Sequence, residues 1–598
     1  MRNRTKIICT IGPSVNSYEK ILELIDAGMN VARLNFSHGT HAKHKKTIDY
    51  LKKAREEKEV PLAIMLDTKG PEIRVGVLES PISIEKGQLL LLVRENDGKN
   101  IPILPGIALD PLKKKDFVLF DDGYISSEVV EVTKEGVLVK FLNGGQIRSQ
   151  KGVNIPQVEI PLPAMTEQDI RDIKFGCEQD VDLIAASFIR SPQHVREIKA
   201  LLLKQSKGDI LVIAKIENIL GVNNFDSILQ MADGIMIARG DLGVELPIEE
   251  VPVLQKMMIR KCLQAAKPVI TATQMLESMI YHPRPTRAEV SDVANAIYDS
   301  TTAIMLSGET AMGKYPIETV LLMRKIVEEA EKDFPYFDFF NRHSRIGSHD
   351  LTTSVALAAV KTAYSSDAKA LFVSTTTGSS AWVLSRYRPE MPIIPLTANP
   401  KTYHQLALIW GVIPVEPCHP NDANEALAIT SHFARERNIV QYGDLVVVTL
   451  ATPFGMIGNT NTMVVESIGE VLVRGETSEG PETAGEIRIV HTPDAYSAHI
   501  SAGKIVVITQ FNDTYLPVIQ KAKGIILQNL PEDEDSEIAA EDEAKKLGIP
   551  LIIRADGAMR RLQNGQSIIM DPERGTVYKK RPSSSPEEDA FGISDPRD

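Results

Sequence analysis

Cysteine is scarce, with four in 598 residues, at positions 9, 177, 262 and 418. They lie far apart with no CxxC or other ligand spacing, which excludes a disulfide scaffold or a thiolate metal centre and predicts four free thiols in a reducing compartment. No apolar run approaches the ~20 residues needed to cross a bilayer, and the charged N-terminal residues lack the apolar stretch of a secretory signal. The sequence therefore predicts a soluble, cytoplasmic protein without a membrane partner. Positive charge is also short: 67 Lys and Arg against 79 Asp and Glu leave a formal charge of −12. With no basic run or basic-aromatic stripe, a nucleic-acid scaffold is excluded, and any anionic ligand must be held by a local cluster of charge.

What the chain does have is length and alternation. Its 598 residues, 43% of them apolar, are too many for one core and predict about four domains at roughly 150 residues each. From Lys6 to about residue 332, short β-branched runs alternate with longer amphipathic ones, the pattern of repeated βα units. Eight strands are predicted, at Ile7–Ile11, Asn30–Asn35, Leu62–Leu66, Leu183–Ala186, Leu211–Lys215, Gly234–Ile237, Pro268–Thr271 and Ala303–Leu306. Eight parallel strands with helices between them imply a closed (β/α)8 barrel, built from residues 1–70 and 163–345. Within residues 71–162 the period shifts to two, with Val118-Leu119-Phe120, Val129 to Val132 and Val137-Leu138-Val139 punctuated by Asp-Gly, Glu-Gly and Gly-Gly turns. A small β-barrel domain is thus expected after the third strand, at the rim where barrel active sites are built, placed to act as a lid. Residues 346–475 read as an α/β open-sheet domain, 476–486 as a linker, 487–580 as an extra α/β unit and 581–598 as a disordered tail.

Arg239-Gly240-Asp241-Leu242-Gly243 follows an apolar strand and opens a predicted helix. Its glycines free backbone N–H groups to face an anion, and Asp241 among those donors makes most sense with a divalent cation between them. A strand-to-helix turn with a solvated Asp is the alternative. The other strand ends add weight. Arg33, Asn35 and Ser37 share a face after strand two, and Asp67, Thr68 and Lys69 follow strand three. Oxygen ligands with a single full charge suit a monovalent ion. Lys215 and Glu217 share a face after strand five, and strands seven and eight end in Thr271-Ala272-Thr273 and Ser307-Gly308-Glu309-Thr310. Two carboxylates near one ammonium is the arrangement expected where Mg²⁺ meets a phosphoryl group. Six strands presenting polar groups at one rim is a coincidence that structure alone does not require.

The motifs RLNFSHG (33–39), DTKGPEIR (67–74), KGVNIP (151–156), KIEN (215–218), ARGDLG (238–243), ATQML (272–276), HPRPTRAE (282–289), SDVANAI (291–297) and MLSGET (305–310) closely resemble the pyruvate kinase family, over about residues 1–472. The resemblance implies the last step of glycolysis, phosphoryl transfer from phosphoenolpyruvate to ADP giving pyruvate and ATP, in an allosteric homotetramer. It implies Mg²⁺ (or Mn²⁺) on Glu217 and Asp241, and the substrate carboxylate at the backbone of Gly240 and Asp241. Arg33 and Lys215 are implied at the phosphoryl group, and K⁺ on Asn35, Ser37, Asp67 and Thr68, with Glu72 the mark of potassium dependence. Thr273 is implied near the carbon that takes a proton, Ser307 and Glu309 in that proton path, and Asn35, His38, Arg74 and Lys151 at the nucleotide.

Ser374, Thr375, Thr376, Thr377, Gly378 and Ser379 form a hydroxyl-rich turn after a predicted strand, either a phosphate cradle or a plain helix N-cap. The family carries effector sites for phosphorylated sugars or AMP in this region. The last unit, with Gly548-Ile549-Pro550, Asn564-Gly565-Gln566 and Arg574-Gly575-Thr576, resembles the swivelling phosphohistidine domain of phosphoenolpyruvate synthase and pyruvate phosphate dikinase. No histidine follows His499, and Ser536-Glu537-Ile538-Ala539-Ala540 stands where the carrier histidine would be, beside an acidic run. A structural or regulatory role is therefore expected of it. Two other functions remain open at this point: a barrel lyase or aldolase acting on an enolate, and a catalytically silent protein that binds phosphoenolpyruvate.

Overall fold

The computed structural model describes residues 3–156, 158–344, 350–454, 460–478 and 480–579; the expected tail, 581–598, lies outside them. The chain divides into two compact units, one of residues 1–364, 371–430 and 449–463, the other of residues 365–370, 431–448 and 464–598.

In the first unit eight parallel strands close into a barrel: Lys6–Thr10, Val31–Asn35, Ala63–Asp67, Leu183–Ala186, Leu211–Ile216, Gly234–Ala238, Val269–Ala272 and Ala303–Leu306. The first strand pairs with the last, Lys6 opposite Ala303 and Cys9 opposite Leu306, which removes both sheet edges. The predicted strands stand within one residue of these bounds. Several of the helices between them start at side-chain caps supplied by the sequence, such as Ser17 before Tyr18–Ala27 and the reciprocal Thr166–Asp169 and Thr286–Glu289 boxes.

The period-two alternation of the strands decides what fills the barrel and what crowns it. Ile8, Val31, Ala63, Met65, Leu183, Ala185, Ile213, Met236, Ile270, Ala272, Ala303 and Met305 form one buried cluster, the barrel's interior, onto which Ala407 and Leu408 also pack. The intervening residues, Ile7, Cys9, Ala32, Leu34, Ile64, Leu66, Ile184 and Ala214 among them, belong to a second cluster shared with the helices. Each fully buried aliphatic side chain contributes roughly 1.5–3 kcal/mol, so slipping a strand by one residue would exchange the two sets at large cost. Continuing the inward parity one step past the apolar layers, from Val31 to Arg33, Met65 to Asp67, Ala185 to Ser187, Ile213 to Lys215 and Met305 to Ser307, delivers polar groups to a single rim.

Between the third and fourth barrel strands lies a seven-stranded sheet with the order Val153–Asn154, Phe117–Phe120, Ile125–Val132, Val137–Phe141, Leu89–Val93, Ile101–Leu104 and Arg74–Val75, beside the paired strands Ile82–Ile84 and Gly145–Ile147. It has its own core, with Phe120 and Phe141 fully buried. The hairpin at Asp121-Asp122-Gly123 turns through three positive φ angles, of 52°, 53° and 81°. Asp and Gly tolerate that region. Further along the first unit, Leu371 to Ser374 pair in parallel with Ile393 to Leu396.

The second unit holds another seven-stranded sheet, with the order Val471–Arg474, Thr576–Lys579, Ser567–Asp571, Thr483–Ile489, Ile505–Ile508, Gly524–Leu527 and Leu551–Ile552. This corrects the sequence reading at two places. Residues 483–486, read as linker, form a strand because Thr483 to Glu486 pair with Ser567 to Met570, a partner far away in sequence. Gly485 is there for space, since a Cβ would meet the Ile505 side chain at 3.0 Å. Val471–Arg474, read as the end of the preceding domain, likewise pairs with Thr576 to Tyr578. All four cysteines are free thiols, three of them buried. Among the described residues no helix is long and apolar enough to cross a membrane.

Candidate active site

Asp67 closes the third barrel strand with none of its surface exposed. Its Oδ2 accepts from Arg33 Nε at 2.6 Å and its Oδ1 from Lys215 Nζ at 3.0 Å. Lys215 Nζ also stands 3.0 Å from Glu217 Oε1 and donates to Ser187 Oγ at 2.7 Å, while Arg33 reaches Thr10 Oγ1 at 3.0 Å. Two buried cations therefore alternate with buried carboxylates, which is the condition under which such charges persist out of water.

Burial would raise the Asp67 carboxyl, but Arg33 and Lys215 outweigh it and hold the group below its ordinary value. Burial likewise works against the Lys215 ammonium, yet Asp67 and Glu217 hold it above the ordinary lysine value, so it is a permanent cation in the neutral range. Asp241 moves the other way: burial first, and the Glu217 charge second, push its carboxyl up, with Lys215 only partly offsetting them. Glu217 and Asp241 thus repel each other across a site short of one positive charge, a charge that a divalent cation would supply. Among the described residues no three metal-binding side chains cluster. Two carboxylates with the remaining positions left to outside oxygens match how Mg²⁺ is held beside phosphates.

Asp241 lies in the short helix Arg239–Glu245, directly after the sixth barrel strand. Gly240 N–H donates to Thr273 Oγ1 at 2.9 Å, joining the loops of strands six and seven. Thr273 and Gln274 have φ of 68° and 55°. A β-branched residue there is strained, so something must hold it. Arg239 does: its guanidinium donates to the Thr273 carbonyl at 2.7 Å and is itself anchored on Asp292 Oδ1 at 2.9 Å. Glu309 performs the same task for strand eight. It is 2% exposed and accepts from Ser307 N at 2.7 Å and Leu276 N at 3.2 Å; burial raises its carboxyl. Glu309→Ala strands both donors, so urea melts are expected to show a loss of about 1–3 kcal/mol per unsatisfied group, together with a reduced kcat. A melt superimposable on wild type would mean that the two loops do not depend on this carboxylate.

The residues implied for a monovalent ion each have neighbours of their own. Asn35 Oδ1 accepts from Ser37 N at 3.1 Å, and Thr68 Oγ1 accepts from Ser187 N at 3.1 Å. His38 contributes its carbonyl to His44 Nε2 at 2.8 Å. Between the inserted sheets and the rim opens a cleft of about 300 Å³, bordered by Arg74, Asp121 and Lys151 on one side and Asn218, Asp241 and Glu245 on the other. Lys151 Nζ is 2.7 Å from Asp121 Oδ1, and Arg74 Nε donates to Glu72 at 2.6 Å. Asn154 Nδ2 bridges the cleft to Glu245 Oε1 at 3.1 Å.

Sequence reasoning missed the fourth strand's contribution. Ser187 Oγ donates to the Thr68 carbonyl at 2.6 Å besides receiving Lys215, and the Phe188 N–H donates to Glu217. The inward parity of Ala185 was the available signal. It also missed Arg190, whose guanidinium ties down the carbonyls of Leu162 at 2.8 Å and Pro163 at 3.0 Å, where the inserted sheets return to the barrel.

The turn after Ala370–Ser374 leads into the helix Ser379–Ser385, whose N-cap is Gly378 at φ 83° with no side-chain cap. No hydroxyl of the turn therefore serves as that cap. Thr375 Oγ1 instead accepts from Gly378 N at 3.0 Å, and Thr377 Oγ1 donates to Ser379 Oγ at 3.1 Å. In the second unit Ser536 is 5% exposed, with its hydroxyl fastened to both the N–H and the carbonyl of Phe511 at 3.0 and 3.2 Å. Glu537 beside it pairs with Arg554.

Comparison with known proteins agrees with this geometry. Residues 2–320 match the model of the pyruvate kinase barrel domain, 353–466 that of the pyruvate kinase alpha/beta domain, and 500–575 that of the mobile domain of PEP-utilising enzymes. The chain is 41% identical over 585 residues to a pyruvate kinase of Geobacillus stearothermophilus, covering 97% of this chain and 99% of that one. It is 41% identical over 581 residues to a pyruvate kinase of Sporosarcina psychrophila, covering 96% and 98%, and 38% identical over 582 residues to one of Staphylococcus aureus, covering 96% and 99%. With the barrel, the polar rim and near full-length identity in agreement, the chain belongs to the pyruvate kinase family of phosphotransferases.

Proposed function

We propose that the phosphoryl group of phosphoenolpyruvate passes to ADP in the cleft between the inserted sheets and the barrel rim, with Lys215 as the group that meets the charge developing in transfer. The observation that carries this reading is the Lys215 ammonium, buried and fixed by Asp67, Glu217 and Ser187 within 3.0 Å. Phosphoryl transfer asks for positioning and charge stabilisation rather than covalent chemistry. A cation already locked in place needs no reorganisation when the phosphoryl oxygens and the enolate gain charge. Arg33, held by Asp67 and Thr10, presents a second fixed cation to the same group.

Glu217 and Asp241 are the proposed ligands of Mg²⁺ or Mn²⁺, which when bound supplies Lewis-acid charge to the phosphoryl and carboxylate oxygens. Asn35, Ser37, Asp67 and Thr68 are the proposed surroundings of K⁺, whose requirement goes with Glu72. The backbone at Gly240 and Asp241 receives the substrate carboxylate, with the Gly240 N–H released from Thr273 as it does so. Thr273 then stands beside the enolate carbon, where Ser307 and Glu309 orient the delivery of a proton. Asn35, His38, Arg74 and Lys151 meet the nucleotide, and Lys151 exchanges Asp121 for a phosphate as the inserted sheets close.

The same reading makes the turn Ser374 to Ser379 the site of a phosphorylated effector, the enzyme a cytoplasmic homotetramer, and the last sheet a structural or regulatory module. The domain partition follows the sequence reading, with residues 471–474 and 483–486 moved into the last sheet. A coupled assay for ATP with ADP, Mg²⁺ and K⁺ omitted in turn tests the core of it. Turnover is expected to vanish without ADP or Mg²⁺ and to fall at least tenfold without K⁺; pyruvate formation that ignores ADP would instead indicate a lyase or phosphatase.

A further inference from the structure

Away from the rim, Arg386 and Arg388 stand on either side of Tyr387, and both are buried, with 6% and 3% of their surface exposed. Burying a guanidinium is costly unless an acidic group faces it. Among the described residues every hydrogen bond these two make goes to a neutral oxygen. Arg386 donates to the Gln264 carbonyl at 3.3 Å and the Tyr387 hydroxyl at 2.7 Å. Arg388 donates to the Ser385 and Ser300 carbonyls at 2.7 and 2.8 Å, and to the hydroxyls of Ser385 and Thr302 at 3.3 and 3.5 Å. The Nε of each arginine is buried and has no partner. Lys267, next to them, donates only to the carbonyls of Leu229, Gln230 and Ala232.

These side chains border a cavity of about 20 Å³, together with Thr302, Trp382 and Ser385. Arginine does not lose its proton in proteins. Burial nevertheless works against the charge on Arg388, and Glu331 and Tyr336 offset that only in part; the Glu331 carboxylate is already taken by the N–H groups of Arg4 and Thr5. The volume suits a single small species, a water or a halide, rather than a phosphate or a nucleotide. Water would satisfy the free N–H donors but add nothing to the partial compensation of the positive charge; a halide does both.

We propose that this cavity is a binding site for a small monovalent anion, of the size and charge of chloride, held by Arg386 and Arg388 and flanked by Lys267. The bound anion fastens the segment around residue 386 to the barrel. Arg386 grips the C-terminal carbonyl of the helix Val251–Gln264, and Arg388 grips Ser300 and Thr302, immediately before the eighth strand. Occupancy therefore bears on how firmly the segments feeding the last barrel strands are held.

The two tryptophans of the chain report on this place. Trp382 borders the cavity, and the Trp410 ring lies 4.7 Å from the Arg388 guanidinium. The full-length enzyme is kept in potassium methanesulfonate and titrated with potassium bromide at constant ionic strength. Expected are a saturable quench of tryptophan emission, a rise of about 2–4 °C in the melting midpoint, and, in a bromide-soaked crystal, an anomalous peak between the two guanidinium groups. Arg386→Gln is expected to abolish the saturable phase. A quench that is linear in bromide and unchanged in Arg386→Gln overturns the proposal. The soaked wild-type crystal decides independently of whether that variant folds: a water with no anomalous signal at this position also overturns it.

Discussion

Lys215→Met is expected to lower phosphoryl transfer by a factor on the order of 10³ or more, the range seen when a fixed cation or oxyanion donor is removed from a transition state. The substitution is close in volume and removes only the ammonium. Its consequences are separable, because Lys215 touches Asp67, Glu217 and Ser187 but none of the groups proposed for proton delivery, Thr273, Ser307 and Glu309. Exchange of the pyruvate methyl protons with solvent deuterium, followed by NMR in the presence of Mg²⁺, should therefore survive largely intact while coupled-assay ATP formation is lost. Transfer within tenfold of wild type would remove Lys215 from the role assigned to it. Loss of both activities to the same extent would mean that the ammonium holds the site together rather than stabilising transfer.

Asp67→Ala should produce the largest loss of stability in the barrel. Its carboxylate lies between Arg33 at 2.6 Å and Lys215 at 3.0 Å with none of its surface exposed. Removing one member of such a network leaves the others charged and buried, at a cost of about 3–5 kcal/mol. Denaturant unfolding monitored by circular dichroism measures it, and a loss below about 1 kcal/mol would contradict the network. The pH dependence has a definite sign. The folded-state pKa of Asp67 is lowered, so its contribution is fully present above the unfolded-state value near 4 and is lost as pH falls through the lower, folded-state value. The wild-type minus Asp67→Ala difference in stability should therefore shrink on acidification and stay flat from pH 6 to 8.

The barrel and most of its rim were legible in the sequence for one physical reason. Strand alternation is strict, so the parity that buries Val31, Met65 and Ile213 also carries Arg33, Asp67 and Lys215 to the same place. What escaped was held by partners far apart in the chain. Ser187 and Phe188 follow an apolar strand with no charge to mark them, and their role depends on Thr68, Lys215 and Glu217 arriving from two other strands. The Arg239–Asp292 anchor spans 53 residues, and it fixes the guanidinium that holds the carbonyl of the left-handed Thr273. Residues 483–486 read as linker because Ala484, Gly485 and Glu486 resist strand formation locally, and only the distant strand Ser567–Asp571 overrides that preference.

The most direct test of the metal-centred site is a crystal of the full-length enzyme grown with Mn²⁺ and phosphoenolpyruvate, with the ion located by its anomalous scattering. The account predicts a single strong peak within coordinating distance, about 2.0–2.3 Å, of carboxylate oxygens of both Glu217 and Asp241, with Lys215 Nζ in hydrogen-bond contact with a phosphoryl oxygen. An ion bound elsewhere, or a phosphoryl group out of reach of Lys215, would contradict it.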